Sequence, residues 1–169
     1  RGLGDVYKRQ LTMLNSIILA SKSKVRKKIL ETNGISCKVE PSNVDEDSVK
    51  ESMLNEKASP ELISKNLAEL KANKISSKNY EKIVLGADSV IDLQGELISK
   101  PSDRNEAMVI LKKLNGKEHY LISSVCFSKN GSMIWNYTDK AKLKMKNFSE
   151  QELKEYLSKI TDEELYAYN

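Results

Sequence analysis

Asp88 closes an apolar run, Ile83-Val84-Leu85-Gly86-Ala87-Asp88-Ser89, long enough for a buried strand. An acid delivered by the end of a rigid strand is held with the precision that general-base and metal chemistry demand. Two readings stand side by side. Asp88 caps the following turn or pairs with a lysine, or it serves as general base, Mg²⁺ ligand or both. Lys100-Pro101 follows downstream, where proline fixes the backbone beside the lysine and removes a donor, as in a shaped loop. Upstream, Ser21-Lys22-Ser23-Lys24-Val25-Arg26 joins a strand to a helix N-terminus. Free backbone amides there receive anions and an arginine forks onto phosphate oxygens, although a plain strand-to-helix turn reads the same way. Lys71, beside the small Ala72 on an apolar helical stretch, is a further candidate phosphate ligand. Glu46 and Asp45 lie in an acidic loop that binds metal or simply stays hydrated. Together these groups suggest a polyphosphate site, and Mg²⁺ favours one or two carboxylates plus substrate phosphates.

Other chemistries find less support. His119 is the only histidine, and no Cys/His cluster accompanies it, which argues against a zinc site or a Ser-His-Asp triad. At a strand start it reads as a structural hydrogen-bonding residue. Cys37 and Cys126 are far apart among apolar or β-branched neighbours, the setting of reduced, buried thiols. The 169 residues carry a formal net charge of +4, half of it in the first twelve residues, too balanced for nucleic-acid binding by bulk charge. No apolar run is long enough for a membrane span and no signal-peptide pattern occurs, so a cytoplasmic protein is expected. Residues 1–12 show no apolar period and read as a leader or cloning scar, leaving 13–169 as one domain. The chain stops after a fresh Thr161-x-x-Glu164 helix start, which reads as a truncated product.

The elements that position these groups follow from periodicity and punctuation. Ser16–Ala20 is a short strand, followed by a helix with Val25, Ile29 and Leu30 inward and Asn33-Gly34 as its stop. Ile35, Cys37 and Val39 alternate as a half-buried strand that Pro41 breaks. A short helix carries Val49, Met53 and Leu54. Ser59-Pro60 then opens a long helix to about Ile75, with Leu62, Ile63, Leu67 and Leu70 inward. After the central strand, Gln94-Gly95 turns the chain toward Leu97-Ile98. Asp103 and Glu106 form a capping box for a helix whose Ala107, Met108, Ile110, Leu111 and Leu114 face a core. Tyr120–Phe127 and Met133–Tyr137 flank Asn130-Gly131, a strong hairpin signal, and the second strand continues through Met145. Ser149 and Glu152 cap a helix with Leu153, Tyr156, Leu157 and Ile160. The order β-α-β-α-α-β-β-α-β-β-α indicates an α/β fold, a mixed sheet flanked by helices with some antiparallel pairing.

In register, these pieces resemble the Maf family of nucleoside triphosphate pyrophosphatases over roughly residues 14–160. Leu19-Ala20-Ser21-Lys22-Ser23 through Ile29-Leu30 is similar to the family's opening Leu-Ala-Ser-x-Ser motif, arginine pair and Leu-Leu helix. Val44-Asp45-Glu46, Lys71-Ala72, Gly86-Ala87-Asp88-Ser89, Gly95-Glu96, Lys100-Pro101 and Leu114-Asn115-Gly116-Lys117 with His119 complete the likeness. The resemblance implies two lobes around a cleft, as in inosine-triphosphatase-like folds. It implies hydrolysis between the α and β phosphates, a divalent cation (Mg²⁺ or Mn²⁺) and frequent homodimers. Asp88 would then activate water. Arg26, Lys71 and Lys100 would hold the triphosphate, and Ser21 and Ser23 would contact phosphate or base. Glu46 would assist Asp88 at the metal, and Ser89 would stand where threonine is usual. A non-catalytic nucleotide-binding regulator of cell division is the alternative. Departures are also visible. Val25 replaces the first family arginine, Lys24 replaces a proline, and the family's late Gly-bearing segment is absent, so weak or no activity is expected of this chain. The Lys-Ser opening and the Trp135-to-Asp139 strand are similar to an alphaproteobacterial branch.

Overall fold

The computed structural model describes residues 17–167; the expected leader, Ser16 and the terminal Tyr168-Asn169 lie outside the described residues. Strands β1 (Ile17–Leu19), β2 (Cys37–Val39), β3 (Val84–Leu93), β4 (Glu96–Ile98), β5 (Glu118–Lys129) and β6 (Ser132–Lys144) form one sheet. Helices α1 (Lys24–Thr32), α2 (Glu46–Asn55), α3 (Pro60–Ser76), α4 (Arg104–Leu114) and α5 (Glu150–Lys159) alternate with them, and a short α6 (Asp162–Ala167) follows. The anticipated element order is therefore recovered. Sheet order is β2-β1-β3-β5-β6, with β4 paired to β3. β1 runs parallel to β2 and β3, while β3–β5, β5–β6 and β3–β4 are antiparallel, so the sheet is mixed.

Local chemistry sets the boundaries. Asn130 and Gly131 adopt φ of 53° and 83°, the left-handed pair that a two-residue hairpin needs to match strand twist. Ser59 Oγ accepts from Leu62 N at 3.3 Å, with Pro60 as the first residue of α3. Ser149 and Glu152 satisfy each other's backbone amides in a full capping box. At α4 the box is displaced by one residue. Asp103 Oδ1 accepts from Glu106 N at 2.8 Å, but Glu106 reaches back to Ser102 N at 2.7 Å.

Helix α3 is the main support of the sheet. Its buried face is Ile63, Ser64, Leu67, Ala68, Lys71, Ala72, Ile75 and Ser76, whereas Leu62 and Leu70, expected inward, are exposed. The stripe is rotated toward small residues because α3 lies very close to β3. A Cβ on Gly86 would stand 2.2 Å from the Ala68 carbonyl oxygen and 2.7 Å from Ala72 N. Backbone atoms cannot yield as a side-chain tip does. Gly86→Ala is accordingly expected to cost about 3 kcal/mol, the upper part of the overpacking range. A urea midpoint within error of the parent's would contradict that close fit. Polar ties fix the same contact: Ser64 Oγ donates to the Asp88 carbonyl at 3.3 Å, and Ser128 Oγ donates to Asn73 Oδ1 at 2.7 Å.

A second correction concerns α1. Val25 and Ile29 are 52% and 57% exposed, not inward. Only Leu30 of the expected stripe packs, joining Ile35 against Ile17, Leu19 and Leu85. Both exposed side chains face a cleft instead. In α4, Ala107 and Leu114 are buried as expected, with Met108, Ile110 and Leu111 half-buried. At the far edge of the sheet β6 leaves Met133, Ile134, Trp135, Tyr137 and Leu143 exposed. Cys37 and Cys126 are free thiols.

Candidate functional site

The middle of β3 delivers Asp88 and Ser89 to opposite faces of the sheet, as strand alternation requires. Asp88 faces α3 and is 5% exposed. Lys71, also 5% exposed, descends from the buried stripe of α3 and places Nζ 2.8 Å from Asp88 Oδ1. The same ammonium lies 2.9 Å from Glu46 Oε1. Lys71 thus binds two carboxylates from two other elements. Asp88 Oδ2 is buried without a hydrogen-bond partner among the described residues. A native structure rarely leaves a buried carboxylate oxygen bare, and such an oxygen calls for an explanation.

These groups form the floor of a cleft of about 1000 Å³ bounded by the end of β1 and the middle of β3, by α1, α2 and α3, and by β4, α4, α5 and α6. Asp88, Arg26, Glu46, Lys71 and Lys100 all line it, as do Ser21, Ser23 and Ser89. Arg26 donates from Nη1 to Ser21 Oγ at 3.1 Å, and Ser23 caps α1 by accepting from Arg26 N at 3.3 Å. Ser89 is exposed, its Oγ 3.2 Å from Ser123 Oγ. Glu46 is the first residue of α2 and not a loop residue. Asp45 is its N-cap, accepting from Ser48 N at 3.1 Å. His119 does not line the cleft; it is buried, and its Nδ1 has no partner among the described residues, so the expected structural hydrogen bond is not made by that nitrogen. Sequence reading missed Lys50, which enters the cleft one helical turn beyond Glu46. The i, i+4 spacing was the available signal. It also missed an apolar half of the cleft, where Val25 and Ile29 share the lining with Tyr156, Leu157 and Ile160.

The model of the Maf-like protein family matches residues 16–166. The chain belongs to this family. A protein of Pelagibacter ubique (strain HTCC1062) named nucleoside triphosphate pyrophosphatase is 71% identical over 157 residues, 93% of this chain and 80% of that protein. Proteins of the same name from Ruegeria sp. (strain TM1040) and Paramagnetospirillum magneticum (strain ATCC 700264 / AMB-1) are 39% and 41% identical. Those matches span 87% and 83% of this chain and 74% and 72% of the relatives.

In this Maf-like chain the cleft charges act on one another. Burial pushes the Glu46 carboxyl up, but the hydrogen bond and charge of Lys71, with Lys50 and Lys100, hold it below the ordinary range. Lys100, at the exposed rim, is lowered by partial burial and by Lys50, Lys71 and Arg26, with Glu46 opposing. Burial also lowers Arg26, against the pull of Asp88 and Glu46, yet an arginine stays charged.

The cation that the family implies can be tested against these residues. Among the described residues no three His, Cys, Asp or Glu side chains converge, so a cage built wholly of protein ligands is not offered. Two carboxylates do converge, and one cation, the Lys71 ammonium, already sits within 3 Å of an oxygen from each. Two carboxylates with one bare oxygen suit Mg²⁺ completed by phosphate oxygens. Glu46 and Asp88 therefore fit the group.

Proposed function

We propose that this Maf-like chain hydrolyses nucleoside triphosphates to a monophosphate and pyrophosphate, clearing noncanonical nucleotides from the cytoplasmic pool. The reading includes a divalent cation, Mg²⁺ or Mn²⁺, and a homodimeric assembly. It acts on free nucleotides, not on nucleic acid. One observation carries it: the bare, buried Oδ2 of Asp88 lies at the floor of a cleft lined by Arg26, Lys71 and Lys100. The relatives' shared name supports it.

Lys71 fixes Oδ1, so Oδ2 is left to accept a proton from water. The water oxygen bonds to the α-phosphorus as the bridging bond to the β-phosphate breaks, and pyrophosphate departs with that electron pair. Arg26 and Lys100 hold phosphate oxygens whose charge grows toward the transition state. A divalent cation held by Glu46 and Asp88 supplies further charge neutralisation when bound. The apolar half of the cleft, with Val25, Ile29 and Tyr156, accepts the nucleoside.

A panel of triphosphates with Mg²⁺ and with Mn²⁺ tests the reading by its products. Monophosphate and pyrophosphate are expected in equal amounts. Diphosphate and orthophosphate, or no product across the panel, would refute it. A second expectation concerns pH. The Lys100 ammonium is what binds phosphate, and its pKa lies below the ordinary 10.5, so affinity falls as pH rises through that lowered value. Lys100→Arg keeps its charge and should move the alkaline rise in KM to higher pH. An unmoved limb would take Lys100 out of the substrate contact.

A further inference from the structure

We propose that Lys50 is an additional substrate-binding residue whose ammonium grips the departing pyrophosphate. The inference rests on the pyrophosphatase reading and extends it to a residue outside the set named from sequence. Lys50 lines the cleft, is half-buried, and stands one turn beyond Glu46 on the same face of α2.

The other cations of the floor are already engaged. Lys71 is held between Glu46 and Asp88, and its charge is spent on them. Arg26 donates to Ser21 Oγ. Lys50 makes no hydrogen bond or ion pair among the described residues; it acts through space on Glu46 and Lys100. Val25 adds to the need, since α1 presents an alkyl group to the cleft beside Arg26 and so contributes a single cation there. A triphosphate carries most of its charge on the β and γ groups, and those groups leave together.

Placement follows from the two ends of the cleft. The α-phosphorus must lie near the buried Asp88 Oδ2 for water to be activated there. The nucleoside takes the apolar wall of Val25, Ile29, Tyr156 and Leu157. The β- and γ-phosphates then extend toward Lys100 and Lys50, the pair whose like charges already oppose each other and are relieved by an anion between them.

Binding of inorganic pyrophosphate, followed by calorimetry on the chain as it stands, reads Lys50 without requiring turnover. The Lys50→Ala variant is expected to weaken pyrophosphate five- to twentyfold (about 1–2 kcal/mol). Lys50→Arg should stay within about threefold of the parent, as should Lys65→Ala, an exposed lysine outside the cleft. The proposal is overturned if Lys50→Ala binds within threefold of the parent, or if Lys50→Arg loses as much as Lys50→Ala. Turnover is scored separately on the parent chain: absent hydrolysis would remove the enzymatic reading, while the pyrophosphate titration would still decide on Lys50.

Discussion

Asp88→Asn should lower the hydrolytic rate by about a thousandfold or more while leaving nucleotide affinity within a factor of about three. The substitution is nearly isosteric. The amide oxygen can still accept from Lys71 in place of Oδ1, which stands 2.8 Å from Nζ, so the floor of the cleft keeps its shape. What changes is the second position. Oδ2, bare and buried, becomes an NH₂ group with no lone pair to take a proton from water. Arg26 and Lys100 still line the cleft to hold phosphates, so binding survives where chemistry does not. Measuring kcat by product release beside a direct nucleotide titration separates these effects. A rate within tenfold of the parent would remove Asp88 from proton transfer. Loss of affinity in step with the rate would show that it acts by binding. A chain that only bound nucleotide would show no turnover in the parent either.

How legible this site was depends on the kind of signal each residue carried. Asp88 announced itself because a carboxylate at the end of an apolar run breaks the pattern that positions it. The Ser21–Arg26 turn, the capping serines and the Asn130-Gly131 hairpin were legible for the same reason, since each rests on local backbone chemistry. Lys71 was visible only as a lysine beside an alanine, because its meaning is tertiary. It belongs to the buried stripe of α3 and is tolerated there only through Asp88 and Glu46, which arrive from other elements.

The failures have one origin. Hydrophobic periodicity alone points a stripe at a core, which turns Val25 and Ile29 inward and favours Leu62 and Leu70 over Ser64 and Ala68. In α1 the apolar side chains line an open cleft instead, and in α3 the approach to Gly86 selects small residues over large ones. Periodicity locates a helix but does not say which surface receives its face. Lys50 was lost among many lysines for a related reason: its distinction is the company it keeps across the cleft.

Lys71→Met isolates the double role of the ammonium that both carboxylates share. Methionine keeps an unbranched apolar stem without the ammonium and leaves Asp88 buried with neither oxygen paired. Breaking a buried ion pair from one side costs about 3–5 kcal/mol, and for a domain of this size the melting temperature should fall by about 10 °C. Glu46 loses the hydrogen bond and the charge that hold its carboxyl low, so the two acids repel across the emptied position. A divalent cation has the charge and the ligand preference to take that place. Added Mn²⁺ should therefore raise the melting temperature of Lys71→Met by more than that of the parent, where the ammonium competes for the same oxygens. Turnover would stay low even with the metal bound, because Oδ1 would no longer be held by Lys71 and the base would lose its orientation. A variant that melts with the parent, or that responds to Mn²⁺ no more than the parent does, would show that Glu46 and Asp88 do not form a common cation site.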